Sequence, residues 1–289
     1  MSQSIIRDKI DRGEFFLAPG IHDMMAAVLA NKVGFEIVYG TGYWMTASGY
    51  GLPDAGIASY SQMLDRMATL VKTSNSAVIA DADTGYGGLL NVHHTVQGYE
   101  DAGVTAIQLE DQEFPKKCGH TPGKKCVSLD LMTDKIRVAC DARRDKENTL
   151  IVARTDIYQI EGFESSIRRG AAFAEAGADI VFVEALTSED EMRRACDEID
   201  APMMCNMAHG GDTPMRTAAE LEDIGYACAI YPSTTALAAA YATEQALLHL
   251  KDQGTNRNPD VPMFDFKEFS RLIGFEEVWA FDKKWARDD

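Results

Sequence analysis

Residues 101–111 read DAGVTAIQLED. Gly103 suits the C′ position of a helix, where the chain must turn with φ > 0. The run behind it is apolar and β-branched, as in a parallel strand buried on both faces. It then stops at two acids, Glu110 and Asp111. The same sentence recurs at 32–42 (KVGFEIVYGTG), 175–185 (EAGADIVFVEA) and 223–232 (DIGYACAIYP), with Gly34, Gly177 and Gly225 in the turn. Four more strands fit at FFLAPG (15–20), SAVIADAD (76–83), TLIVARTD (149–156) and PMMCNMA (202–208).

A helical stretch follows each strand, near 22–32, 59–73, 91–102, 129–145, 164–176, 188–199, 214–224 and 235–252. Strict alternation means a parallel sheet, and eight units predict a closed (β/α)8 TIM barrel. The alternative, an open doubly wound sheet, would carry a Gly-rich phosphate fingerprint after its first strand; the sequence has none there. A chain of 289 residues fits one barrel of ~250 residues plus a tail. We expect the barrel over 1–253 and a helical tail over 254–289. That tail holds two of the three Trp; it is too aromatic for solvent and belongs on its own barrel or on a neighbouring subunit.

With 45 acidic and 28 basic side chains and a net charge of −17, the chain lacks the basic face that nucleic acid or an anionic membrane requires. No run approaches the ~18 apolar residues of a membrane span. The N-terminus MSQSIIRDKIDRGEFF spreads charge through its length, unlike a secretory signal. The six cysteines are scattered and form no disulfide framework. These features predict a cytoplasmic protein with reduced thiols.

In such a barrel the active site lies at the C-terminal ends of the strands. Those ends supply Thr41, Gly42 and Tyr43, then Asp81 and Asp83, Glu110 and Asp111, Arg154 and Asp156, Glu184, and Asn206. Asp81 and Asp83 stand two apart and on an extended strand point the same way. Two such charges repel unless a cation neutralises them, and oxygen ligands of this kind suit Mg²⁺; alternatively Asp83 is a helix cap. Arg154 matches a carboxylate as a bidentate fork, or it pairs internally with one of the strand-end acids. Glu184 carries the same ambiguity, and Asn206 either orients a substrate carboxylate or satisfies buried backbone.

One loop breaks the acidic composition: EDQEFPKKCGHTPGKKC, residues 110–126, holds four lysines, two cysteines and a histidine. Its spacing of Cys118 and Cys126 matches no usual zinc site. A thiol flanked by Lys116, Lys117 and His120 has a lowered pKa and can act as acid, base or nucleophile; alternatively this is a surface loop with an incidental thiol.

The ordered set GYGLPD (49–54), DADTGYG (81–87), LEDQ (109–112), KKCGH (116–120), ARTD (153–156), VEA (183–185) and CNM (205–207) resembles the isocitrate lyase/phosphoenolpyruvate mutase superfamily, from about residue 5 to 253. In length the chain is similar to the 2-methylisocitrate and 2,3-dimethylmalate lyases of that superfamily. The resemblance implies a Mg²⁺-dependent barrel, with Mn²⁺ as the alternative ion. It would cleave a carbon–carbon bond of a 2-hydroxy di- or tricarboxylate, giving pyruvate and a carboxylate. Asp81 would contact the metal, and Asp83, Asp54 and Glu110 would hold its waters. Thr41, Gly42 and Tyr43 would hold the pyruvate half, partly through backbone N–H groups. Gly119, His120, Arg154 and Asn206 would hold the other carboxylate, with Glu184 beside Arg154. Cys118 would be the general acid on a closing lid, with Lys116 and its neighbours supplying positive charge. Tyr43 or a metal-bound water would take the hydroxyl proton. The partners implied are a small carboxylate and other copies of the chain, as a homotetramer with the C-terminal helix swapped.

Cys118 and Pro232 are features of the lyases in this superfamily. The readings set against this one are an oxaloacetate decarboxylase or hydrolase or a phosphonate enzyme, and a non-catalytic carboxylate-binding barrel. Three positions depart from the lyase pattern: Gln108 where a His is usual, His209 where an acid often follows the Asn motif, and TGYW in place of a small-residue turn.

Overall fold

The computed structural model describes residues 5–119 and 123–286. Eight parallel strands close into a barrel in sequence order. They are β1 (Phe16–Ile21), β2 (Ile37–Gly40), β3 (Ala77–Asp81), β4 (Ala106–Glu110), β5 (Leu150–Thr155), β6 (Ile180–Val183), β7 (Met203–Asn206) and β8 (Cys228–Tyr231). The seam pairs Phe16 with Cys228 and Leu17 with Ala229. The expected (β/α)8 alternation is present. Gly34, Gly103, Gly177 and Gly225 all turn with φ between 87° and 113°.

A short helix α1 (Ile5–Asp11) precedes the barrel. The helices that follow β1 to β4 are α2 (Met24–Val33), α3 (Gly42–Tyr50) with α4 (Tyr60–Thr73), α5 (Leu89–Asp101) and α6 (Leu129–Ala142). Those after β5 to β8 are α7 (Tyr158–Glu161) with α8 (Phe163–Glu175), α9 (Glu189–Glu198), α10 (Ala218–Ile224) and α11 (Thr234–Gln253). The tail adds α12 (Phe266–Leu272) and α13 (Phe275–Trp285). Sequence periodicity did not announce α1, α3 or α7. Among the described residues no helix is long and apolar enough to cross a membrane.

Strand alternation sorts the side chains. Phe16, Ala18, Ile37, Tyr39, Ile79, Ala106, Leu150, Val152, Ile180, Phe182, Met204, Cys228 and Ile230 form one buried cluster, the barrel interior. Ile6 of α1 joins them, fully buried, where the strands begin. On β3 to β7 the inward series ends in a polar side chain: Asp81, Glu110, Arg154, Glu184 and Asn206 continue the same parity. The outward series (Val78, Ile107, Ile151, Val181, Met203) packs under the helices in a second cluster. Residues of that parity at strand ends face the helix layer instead. Asp111 accepts hydrogen bonds from Thr155 Oγ1 at 2.6 Å and Arg169 Nη1 at 3.0 Å.

In α11 only Ala236 is buried, and no residue of α12 or α13 is. Lys32 of α2 pairs with Glu268 and lies 4.9 Å over the Phe264 ring. Phe281 and Trp285 remain 64% exposed, so one chain alone does not cover its tail.

Candidate active site

A cavity of about 250 Å³ opens at the C-terminal ends of the strands. Of the residues singled out from sequence, Thr41, Tyr43, Asp54, Asp81, Glu110, Lys116, Cys118, Gly119, Arg154, Glu184 and Asn206 all line it. Gly42 stands behind Asp81 and donates its N–H to Oδ2 at 3.3 Å. Asp83 stands behind Lys116. His120 lies outside the described residues.

Asp81 and Asp83 do not meet by strand alternation, as their spacing suggested. Asp83 lies past the end of β3 in a left-handed conformation, φ 48°, and its N–H returns to Asp81 Oδ1 at 3.0 Å. The acids there already have a cation. Lys116 Nζ is 2.6 Å from Asp54 Oδ1 and 2.9 Å from Asp83 Oδ1. Burial would lower its pKa, but Asp83, Glu110, Asp54 and Asp81 together hold it well above the ordinary lysine value. The loop is therefore not a solvent-facing lysine patch. Lys124 is also buried; it donates to the Gly119 carbonyl and lies 3.6 Å from Asp156. Only Lys117 and Lys125 are exposed.

Burial pushes Asp83 up to about 6, against the pull of Lys116, and pushes Glu110 well above the ordinary glutamate value. Glu110 Oε1 is buried with no hydrogen-bond partner among the described residues, an oxygen still in need of an electropositive group. Among the described residues no three His, Cys, Asp or Glu side chains converge into a cage. This donor set fits Mg²⁺, which takes one or two carboxylates and keeps most of its water.

Across the cavity, Arg154 is an internal ion-pair centre. It meets Asp156 through Nε at 3.0 Å and Nη2 at 2.8 Å, and Glu184 Oε2 lies 3.1 Å away. Its guanidinium also lies over the Phe182 ring, 5.1 Å from the centroid. Glu184 accepts from the Ala185 N–H at 2.9 Å and from Asn206 Nδ2 at 3.1 Å. The internal pairing left open by sequence is thus realised, and Arg154 still lines the cavity. The Thr41 and Gly42 N–H groups, expected to hold ligand, donate to Ile21 O and Asp81 instead.

The loop after β4 seats on this cluster at Gly119. A Cβ there would stand 2.1 Å from Arg154 Nη2 and 2.9 Å from Asp156 Oδ1, and those atoms are fixed by their ion pairs. Only glycine allows the approach that brings the half-buried Cys118 to the cavity wall. Gly119→Ala is expected to lift the loop, seen as at least tenfold faster proteolysis within 112–126 with little change in melting temperature. Unchanged proteolysis would contradict this seating.

Several lining residues have no binding role assigned from sequence, although His209 and Trp44 stand among the departures from the lyase pattern. Tyr39 continues the inward parity of β2 and was identifiable by it. Trp44 and Leu237 come from the first turns of α3 and α11, and Ala208–Gly211 from the loop after β7; only the fold brings these together. Gln108, noted for its departure, does not line the cavity. It is fully buried one inward position below Glu110.

Comparison with known proteins finds relatives over most of the chain. The family model described as phosphoenolpyruvate phosphomutase matches residues 6–251. The chain is 40% identical to 2,3-dimethylmalate lyase of Eubacterium barkeri over 97% of both chains. It is 42% identical to 2-methylisocitrate lyase of Halalkalibacterium halodurans over 93% of this chain and 88% of that one. Among solved structures, oxaloacetate acetylhydrolase bound to 3,3-difluorooxalacetate superposes with a TM-score of 0.90 at 32% identity, covering 96% of this chain and 95% of that one. A phosphonopyruvate hydrolase complex with oxalate and Mg²⁺ gives 0.87 at 30% identity, covering 98% of each.

Proposed function

The chain belongs to the phosphoenolpyruvate mutase/isocitrate lyase superfamily and is a carbon–carbon lyase, and from that premise we propose a Mg²⁺-dependent cleavage of a 2-hydroxy di- or tricarboxylate to pyruvate and a second carboxylate. The observation that carries this reading is the loop seated by Gly119. It sets a thiol, Cys118, against one cavity that also holds the acids around Lys116 and the Arg154 cluster.

In this reading Asp81 would hold the metal directly, and Asp83, Asp54 and Glu110 would hold its waters. The bound ion supplies Lewis-acid polarisation of the C2 oxygen. Thr41 and Tyr43 line the place of the pyruvate half, and Gly42 holds Asp81 from behind. Arg154, Asn206 and the Gly119–His120 segment bind the carboxylate on C3, with Glu184 orienting Arg154 and Asn206. The hydroxyl proton passes to the Tyr43 oxygen as the C2–C3 bond breaks. Pyruvate forms at C2, while the bonding pair passes to C3 and into its carboxylate. Arg154 stabilises that developing charge. The Cys118 thiol gives its proton to C3. Lys116, held protonated by its carboxylates, serves as a fixed positive charge.

A coupled dehydrogenase assay tests the reading. With Mg²⁺, 2,3-dimethylmalate or 2-methylisocitrate is expected to give pyruvate, and EDTA to stop it. Release that persists in EDTA would remove the metal from the account. The raised Asp83 carboxyl adds a pH dependence. Below about pH 6 it takes up a proton and no longer competes for a cation, so Mn²⁺ affinity is expected to fall by about tenfold per further pH unit. Titration of the protein with Mn²⁺ at pH 5 and 7, read by the loss of free-ion EPR signal, checks this; equal affinity would refute it.

We further propose that the exposed tail covers a neighbouring subunit's barrel in a tetramer. Deletion of 254–289 is then expected to shift sedimentation to a smaller species; an unchanged sedimentation coefficient beyond the lost mass would contradict it.

A further inference from the structure

Cys118 sits on a loop that is pinned on each side of it. On one side Gln112 reaches across the loop. Its Nε2 donates to the Lys117 carbonyl at 2.8 Å, and its Oε1 accepts the Lys117 N–H at 3.0 Å. One side-chain amide therefore holds both backbone groups of the residue before Cys118. On the other side Lys124 Nζ donates to the carbonyl of Gly119, the residue packed against Arg154. Gln112 and Lys124 are both buried. The base of the loop is closed separately: Gln112 and Cys126 form an antiparallel bridge, and the Glu113 N–H donates to the Lys125 carbonyl at 2.8 Å. That backbone pairing does not depend on either side chain, so the two tethers act on the tip and not on the loop's attachment.

The tethers share an anchor. Asp156 Oδ1 accepts from Arg154 Nη2 at 2.8 Å and lies 3.6 Å from Lys124 Nζ. Burial would raise the Asp156 carboxyl, yet Arg154, Lys124 and Gln112 hold it below the ordinary aspartate value. A buried ammonium is destabilising unless a partner offsets its lost hydration. Lys124 has that partner only while the loop is down, whereas Lys117 and Lys125 beside it are exposed.

We propose that Gln112 and Lys124 are positioning residues for Cys118: they fix the Lys117 and Gly119 backbone so that the thiol meets the cavity, and they register it to the Arg154–Asp156 ion pair. Neither lines the cavity, so both act through the thiol. The thiol's part in turnover rests on the lyase reading above; its placement does not.

The test uses full-length Gln112→Met and Lys124→Met proteins. Methionine keeps the length of each side chain and removes its polar end. Iodoacetamide labelling of Cys118 is followed by peptide mass spectrometry at a pH where the rate has reached its plateau, so that thiol ionisation drops out. Buried Cys205 is the internal report of unfolding. Labelling of Cys118 is expected to quicken by about tenfold or more in either variant as the tip opens, with Cys205 still protected. With Mg²⁺ and 2,3-dimethylmalate, kcat is expected to fall by about ten- to a hundredfold, the scale of a misplaced reacting group, while KM changes little. In a Cys118→Ser background the same replacements are expected to lower kcat no further, because the group they position is gone. A penalty of full size in that background would overturn the inference, as would unchanged Cys118 labelling in both variants. If the unaltered protein releases no pyruvate, the lyase reading fails, and the labelling rates alone decide whether the tethers place the thiol. Each variant tests its own tether, so one that does not fold leaves the other decisive.

Discussion

Replacement of Arg154 by methionine is expected to lower stability by about 3–5 kcal/mol, the usual cost of leaving buried charges without their partner. It is also expected to reduce turnover by at least about a thousandfold. Arg154 is 7% exposed and holds Asp156 and Glu184 through charge-assisted bonds of 2.8–3.1 Å. Methionine keeps much of the volume over Phe182 but none of the charge. Three acids, Asp156, Glu184 and Glu110, would then share a dry site, and Gly119 would lose the group against which its loop is seated. Thermal unfolding measures the first effect and kcat/KM the second. A melting temperature within about 2 °C of the parent, at ~2–4 °C per kcal/mol for a protein of this order of size, would show that the pairs are dispensable.

Cys118→Ser is expected to behave differently: kcat falls by about 10²–10⁴, the range for losing a positioned general acid, while KM and melting temperature hardly change. The side chain is half-buried on a loop, so packing loses little. Its proton is needed only as C3 becomes a carbanion, so ground-state binding does not depend on it. A serine hydroxyl in the same place is a far weaker acid than a thiol. A kcat within tenfold of the parent would exclude Cys118 as the proton source.

Much of this site was legible because strand alternation is rigid. Glu110 and Asp111 are adjacent in sequence, yet the parity set by Ala106 and Gln108 sends Glu110 into the cup and Asp111 outward to Arg169. Counting inward from the buried run separates them without a structure. Arg154, Glu184 and Asn206 follow the same count. The burial of Lys116 was not legible, since a lysine loop in an acidic chain reads as solvated. What draws it inward is Asp54, 62 residues away in sequence, and Asp83, reached only by a left-handed turn. Helix α3 was missed because GYWMTASGY spreads its apolar groups around the helix and contains glycines, so no stripe marks it. Trp44 and Pro232 stood out singly in the sequence, whereas Leu237 did not, and only closure of β1 against β8 brings the starts of α3 and α11 to one wall.

The most direct measurement is proton NMR of the products formed from 2,3-dimethylmalate in D₂O with Mg²⁺. The account requires pyruvate and propionate in equal amounts, with one deuterium on the propionate carbon next to its carboxylate, where the C2–C3 bond was broken and the carbanion protonated. If no hydroxy acid is cleaved, and oxaloacetate instead yields oxalate and acetate, the protein is a hydrolase and the lyase account is wrong.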